Sequence, residues 1–366
     1  MQRYLTAFIA LLVITVDARS AEAADDETEP TRRVHAFYYP WYANPQTEGH
    51  WDQWNQPELV RGGAPRSFPG GDDIGANFFP QLGAYSSRSR EDLAAHMQQL
   101  RRAGVGAISV SWWGIDSPTD AVLPRVFEQA ARYGIQISFH IEPFGGRSAE
   151  TTAAALTHLM ARYGEHPALY RCPWAEDRPL CFVYDSYLIA PDAWAEVLQP
   201  DGRATIRGRP HDAVVIGLWV KKGDDEQLAA AGFDGVYTYF ATDGFTYGST
   251  IANWSAMAQR ARHRDLLFIP SIGPGYDDTR IRPWNGGNRR SRERGAYYDR
   301  EFAAAIDIVP PLITITSFNE WHEGTQIEPA VPKRTGDYQY EDYQPRAPEY
   351  YLDRTRHWVE QYEAAQ

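Results

Sequence analysis

The sequence predicts an α/β chain folded as a single (β/α)8 TIM barrel with long loops at its C-terminal face, and three observations carry that prediction. Eight short apolar runs recur along the chain. Most are followed by a stretch of helical periodicity. Several runs are near-continuous in Val, Ile, Leu and Phe rather than alternating with polar residues, as strands buried on both faces require. Repeated strand–helix units build a parallel sheet, and eight of them close into a barrel.

The runs, in order, are 34–39, 106–112, 135–141, 180–184, 213–218, 235–239, 266–271 and 312–318. Helical periodicity covers 89–103, opened by a Ser87 or Ser89 cap with acidic residues in the first turn, and then 121–133, 149–163, 253–262 and 296–306. Two insertions break the rhythm: 49–87, rich in Gly, Pro and Trp, and 273–294. Structured loops of that length usually carry function. No linker or internal repeat divides the chain, so 33–366 reads as one domain, preceded by a flexible segment over 24–32.

The first 23 residues have another purpose. Arg3 supplies a positive charge, 4–16 is apolar, and Ala21-Glu22-Ala23 is a small-x-small cleavage site. That order is a secretory signal peptide. The apolar stretch falls short of the ~20 residues of a spanning helix. The expected product is a secreted or periplasmic monomer without a membrane span. Its net charge of −12 argues against nucleic acid as a partner. In an exported chain Cys172 and Cys181 are expected to close a short disulfide loop; two cysteines without a CxxC do not build a zinc site.

Chemistry in this architecture gathers at the C-terminal strand ends. Those positions hold Tyr38-Tyr39-Pro40-Trp41-Tyr42, Ser111-Trp112-Trp113, His140-Ile141-Glu142, Tyr184-Asp185-Ser186-Tyr187, Tyr237-Thr238-Tyr239 and Asn319-Glu320-Trp321-His322-Glu323. Acids, hydroxyls and aromatic rings on one mouth suit a carbohydrate, and an aromatic content of 13% agrees with ring stacking on sugars. Glycosidic cleavage needs a proton donor and a base or nucleophile. Glu320 and Glu323 are three residues apart, and their mutual repulsion holds one of them protonated near neutrality. Glu142 fits either a sugar contact or a rim-propping pair with His140. His140, Glu142, His322 and Glu323 match no standard metal-binding spacing, so no metal or other cofactor is expected.

The segments AFYYPWYANP, GHWDQWN, GAYSS, SVSWW, HIEPF, YDSY, DGVYTYFATDGFTYGS, PSIGPGYDDTRIRPWN and SFNEWHEGTQIEPA resemble glycoside hydrolase family 99, the endo-α-1,2-mannosidases and endomannanases. The likeness runs from Val34 to near Tyr351. It implies cleavage of internal α-1,2-mannosidic bonds in mannans or N-glycan-type mannosides, with retention, no metal, and a 1,2-anhydro sugar intermediate. By motif matching, Glu320 removes the proton of the sugar 2-hydroxyl and Glu323 is the acid/base. Tyr39, Tyr42, His140, Glu142 and Tyr239 are implied to line the sugar subsites, with Tyr187, Trp321 and His322 around them. Trp113 resembles the position lining the −2 subsite, where a Trp leans towards mannose over glucose. The 273–294 loop forms the leaving-group side, with Arg280, Arg282 and Asn285 as donors, or is held together by pairing of Asp277 and Asp278 with its arginines. A glycosidase for another α-linked glycan, and a carbohydrate-binding protein without catalysis, are the alternatives; a binder has no use for both acids.

Overall fold

The computed structural model describes residues 29–366, so the expected signal peptide lies outside the described residues. All eight apolar runs form barrel strands. They are β1 Thr31–Tyr38, β2 Val105–Trp112, β3 Gln136–Ile141, β4 Arg178–Val183, β5 Val214–Leu218, β6 Gly235–Tyr237, β7 in two pieces (Leu267–Ile269 and Ser271–Ile272) and β8 Ile313–Ile315. Neighbours are parallel throughout. Pro270 separates the halves of β7 because it has no N–H to give to a ladder. The first half pairs with β6 through Gly235 and Leu267, and the second with β8 through Ser271 and Thr314. That division closes the ring. β1 begins at Thr31, which pairs with Val105, so the barrel takes in the end of the segment expected to be flexible.

Among the described residues eight α-helices surround the strands: α1 Arg90–Arg102, α2 Pro118–Arg132, α3 Ala149–Tyr163, α4 Pro191–Leu198, α5 Asp224–Ala230, α6 Trp254–Arg262, α7 Ala296–Asp307 and α8 Tyr350–Ala364. Of the two serines proposed to cap α1, Ser89 does so, its hydroxyl accepting from the Asp92 N–H. Ser148 and Thr151 cap α3 reciprocally. Helix α1 turns Leu93, Met97 and Leu100 inward at helical spacing, all with no exposed surface. Each such side chain contributes roughly 1.5–3 kcal/mol on burial. Inside the barrel, Ser138 bridges His35 (3.1 Å) and Ser109 (2.7 Å). Burial pushes the His35 pKa down to about 3, so this layer stays uncharged at neutral pH.

At the base of the barrel, where β4, β5 and β6 begin, two arginines meet two aspartates. Arg207 lies 3.1 Å from Asp212 and 2.9 Å from Asp234, and Arg178 lies 3.5 and 3.2 Å from the same pair. The remaining Arg207 donors reach the carbonyls of Leu198, Ala213 and Gly232.

The expected disulfide does not form: Cys172 and Cys181 are both free and buried. Cys172 sits on a two-residue strand, Arg171–Cys172, antiparallel to the start of β4 and opposite Arg178. Cys181 is three residues further along β4. At ~3.3 Å per residue this is an offset of about 10 Å, beyond the 4.4–6.8 Å between Cα atoms that a disulfide spans. Burial raises both thiols, Cys172 to about 12, leaving neither as a thiolate near neutrality. Among the described residues no helix is long and apolar enough to cross a membrane.

Candidate active site

The Glu320–Glu323 turn follows β8 and is stitched to the end of β1. The Phe318 N–H donates to the Phe37 carbonyl at 2.8 Å. Asn319 accepts from the Tyr39 N–H (2.7 Å) and donates to the Tyr39 carbonyl (3.1 Å) and the Tyr85 hydroxyl (3.1 Å). The Glu320 N–H is held by the Ser317 hydroxyl at 2.8 Å, and one Glu320 carboxylate oxygen accepts from the His322 N–H at 3.0 Å. Gly324 turns the chain at φ +62, where a Cβ would stand 2.8 Å from the Asp277 carbonyl, so the position needs glycine. That close approach brings the 273–294 loop onto the turn, with the Asp277 N–H donating to the Glu323 carbonyl at 2.8 Å.

Glu320 is buried, while the Glu323 side chain keeps 25% of its surface accessible in the crevice. Burial first, and the charge of Glu320 second, raise the Glu323 pKa to about 7, against the opposing pull of Arg282. Arg282 Nη1 lies 3.4 Å from Glu323 and 3.0 Å from Asp278. A cavity of about 100 Å³ opens beside Glu323, between Tyr239, Phe240, Phe245, Tyr276 and Asn285.

Across the mouth, Glu142 accepts from the Ser111 hydroxyl at 2.8 Å and lies 3.0 Å from His140 Nδ1. Ser111 in turn accepts from the Trp113 indole N–H at 3.1 Å, which couples the exposed Trp113 ring to the buried Glu142. The Tyr39 and Tyr239 hydroxyls are 2.5 Å apart. Tyr239 has φ 52, a left-handed backbone that non-glycine residues adopt mainly at functional sites. Burial and the nearby carboxylates push both phenols far above their ordinary range, so they stand as neutral donors.

Tyr39, Tyr239, Glu323, Arg282 and Asn285 thus meet around the crevice, Glu320 stands on the same turn as Glu323, and Glu142 lies within electrostatic reach of Tyr39; Trp113 and Tyr187 are exposed. Four further expected sugar contacts spend their polar atoms on the protein itself. Trp321 is fully buried, its indole N–H donating to Glu328 (2.9 Å) and to the Tyr85 hydroxyl. Tyr42 spends its hydroxyl on the Asn319 carbonyl and stacks its ring on Trp54 at 4.1 Å. His140 uses both nitrogens, on Glu142 and on the Tyr237 hydroxyl (2.8 Å). His322 reaches the Gln53 carbonyl at 2.9 Å and stacks on Tyr42. A tight turn sends successive side chains in different directions, so neighbours of a site carboxylate become its supports. Arg280, also expected as a donor at the mouth, is buried against Asp73 and the Tyr338 ring. Sequence reasoning passed over Tyr276 and Phe245; their signal was a place in the same loops as Arg282 and Tyr239. Among the described residues no group of three or more His, Cys, Asp or Glu side chains is arranged to hold a metal ion.

Known proteins resemble this chain over nearly all of the described residues. The family model for glycosyl hydrolase family 99 matches residues 31–364. A glycoprotein endo-α-1,2-mannosidase of Xenopus laevis is 45% identical over 348 residues, 91% of this chain and 78% of the relative. That of Rattus norvegicus is 43% identical over 360 residues, 94% and 78% of the two chains. The structure of the GH99 endo-α-mannosidase from Bacteroides thetaiotaomicron superposes with a TM-score of 0.89 at 44% identity, covering 92% of this chain and 99% of that one. The chain therefore belongs to glycoside hydrolase family 99 and is a glycoside hydrolase.

Proposed function

We propose that this hydrolase is an exported, monomeric, endo-acting enzyme that cleaves internal α-1,2-mannosidic bonds with retention of configuration. The observation that carries the reading is the Glu320/Glu323 pair, in which Glu323 is held protonated up to about pH 7 beside a second buried carboxyl group. The linkage reading is supported by relatives that are glycoprotein endo-α-1,2-mannosidases.

The chemistry follows in two steps. Glu320 takes the proton from the 2-hydroxyl of the −1 sugar as O2 attacks C1. The C1–O bond to the leaving sugar breaks, and Glu323 gives its proton to the departing oxygen. In an α-manno configuration the axial 2-hydroxyl is trans to the leaving group, so the attack is in line and yields a 1,2-anhydro sugar. Glu323, now a carboxylate, then takes a proton from water as its oxygen opens the epoxide at C1, and Glu320 returns the first proton to O2. Two inversions at C1 give net retention. Tyr39, Tyr239 and Glu142 hold the sugar hydroxyls, Arg282 and Asn285 face the leaving-group side, and Trp113 offers an apolar face to a mannose at −2.

The test is product analysis on a reducing-end-labelled α-1,2-linked mannooligosaccharide. Wild type should release a disaccharide or longer unit, and Glu320→Gln and Glu323→Gln should each lose activity by about 10²–10⁴-fold. No cleavage by folded wild type would remove the mannoside assignment and leave another α-linked glycan, or a binding role, to be screened.

A further inference from the structure

The loop that carries Arg282 and Asn285 is organised around a group with no part in the chemistry above. Asp278 is buried, with 1% of its side chain accessible, and its carboxylate accepts four hydrogen bonds. One oxygen takes the Tyr276 hydroxyl (2.9 Å), Arg282 Nη1 (3.0 Å) and the Asn285 amide (2.9 Å); the other takes the same amide at 3.0 Å. The Asp278 backbone carbonyl also accepts from the Arg282 N–H at 2.7 Å. A single nitrogen of Arg282 is therefore shared between Asp278 and Glu323, and Asp278 holds it at the shorter distance.

We propose that Asp278 is a positioning residue for the reaction: by holding the Arg282 guanidinium and the Asn285 amide on its own carboxylate, it keeps Arg282 from closing onto Glu323 and so preserves Glu323 as proton donor. This rests on the acid role given to Glu323 above. A guanidinium with one anionic partner forms a bidentate pair, which strongly favours the ionised carboxylate. With two partners it is divided between them. The other groups facing Glu323 do not replace this control. Glu320 stands on the same turn and disfavours ionisation of Glu323. The phenols of Tyr276, Tyr239, Tyr184 and Tyr39, from the loop and from β6, β4 and β1, are held neutral by burial. Glu142, on the β3 side, carries the same sign as Glu320. Arg282 is the cation that favours ionised Glu323, and Asp278 opposes it twice, by holding Arg282 and by its own negative charge.

The experiment measures kcat/KM against pH on an α-1,2-mannooligosaccharide for wild type, Asp278→Asn and Arg282→Gln. A parallel infrared titration reads the Glu323 carboxyl, isolated by subtracting the Glu323→Gln spectrum. Asp278→Asn keeps the shape and removes the charge. Its alkaline limb should move down by about one pH unit, giving roughly tenfold lower kcat/KM above pH 7 and little change near pH 5. Arg282→Gln should move the limb upward, and it carries the test by itself if Asp278→Asn does not fold. A loss uniform across pH, with both limbs where wild type has them, overturns the proposal and leaves Asp278 a structural tie. The infrared titration needs no turnover. An inactive wild type with a Glu323 carboxyl that moves as stated therefore removes the mannoside reading and supports this one, whereas an active wild type with an unmoved carboxyl does the reverse.

Discussion

The two ends of the barrel handle charge in opposite ways. At the base, Arg178 and Arg207 meet Asp212 and Asp234 two against two, and the other donors of Arg207 end on backbone carbonyls. At the mouth, one Arg282 nitrogen is divided between Asp278 and Glu323, and Glu320 stands beside them. A balanced cluster ties loops to strands. An unbalanced one forces a carboxylic acid to keep its proton, which a glycosidase needs and a scaffold does not. Stability and chemistry are thereby separated along the barrel axis, as the architecture allows.

Removing balance at the base should have the largest effect on the fold. Arg207→Ala leaves Asp212 and Asp234, both largely buried, facing each other with Arg178 alone, and should cost about 3 kcal/mol of stability. Thermal unfolding would register this as a clear drop in Tm, while kcat on the folded fraction stays at the wild-type value. An equal fall in kcat would show that the two ends are coupled.

Removing imbalance at the mouth should do the reverse. The Glu323 pKa lies near 7 in the fold and near 4.5 in a free chain, so the ionised form is the one the fold resists. The burden is absent below pH 4.5, grows between 4.5 and 7, and is fully present above. Glu323→Gln should therefore melt close to wild type at pH 4 and above it at pH 8. Equal Tm differences at both pH values would mean that Glu323 is not strained by its site.

The smallest effect concerns a tie that is absent from both ends. With Cys172 and Cys181 free, added dithiothreitol should leave the Tm unchanged within about 1 °C, whereas a closed loop would lose several degrees.

The elements that the sequence revealed are those whose signal is local. The eight strands showed as apolar runs because a strand covered on both faces leaves no room for polar alternation. Ser89 was visible as a cap because capping is settled within three residues. The Glu320/Glu323 pair was visible because both acids sit on one turn after a buried strand. The sequence says less where direction or distance through space decides. Trp321 and His322 flank the acids in sequence, yet the turn sends one indole to Glu328 and the other ring to Gln53. Cys172 and Cys181 are near in sequence, yet the strand pairing sets them out of reach.

What the sequence by itself determined is the barrel and the family, and it placed Glu320 and Glu323 on one turn after the last strand, since each is written in spacing and residue type over short stretches. Only the tertiary structure decided which side chains line the crevice and that Asp278 and Glu323 share one arginine. Those outcomes depend on side chains from β1, β3, β6 and the 273–294 loop meeting at distances of 2.5–3.4 Å. Hydrogen bonds and Coulomb forces act through space, and burial, which sets their strength, exists only once the chain has folded.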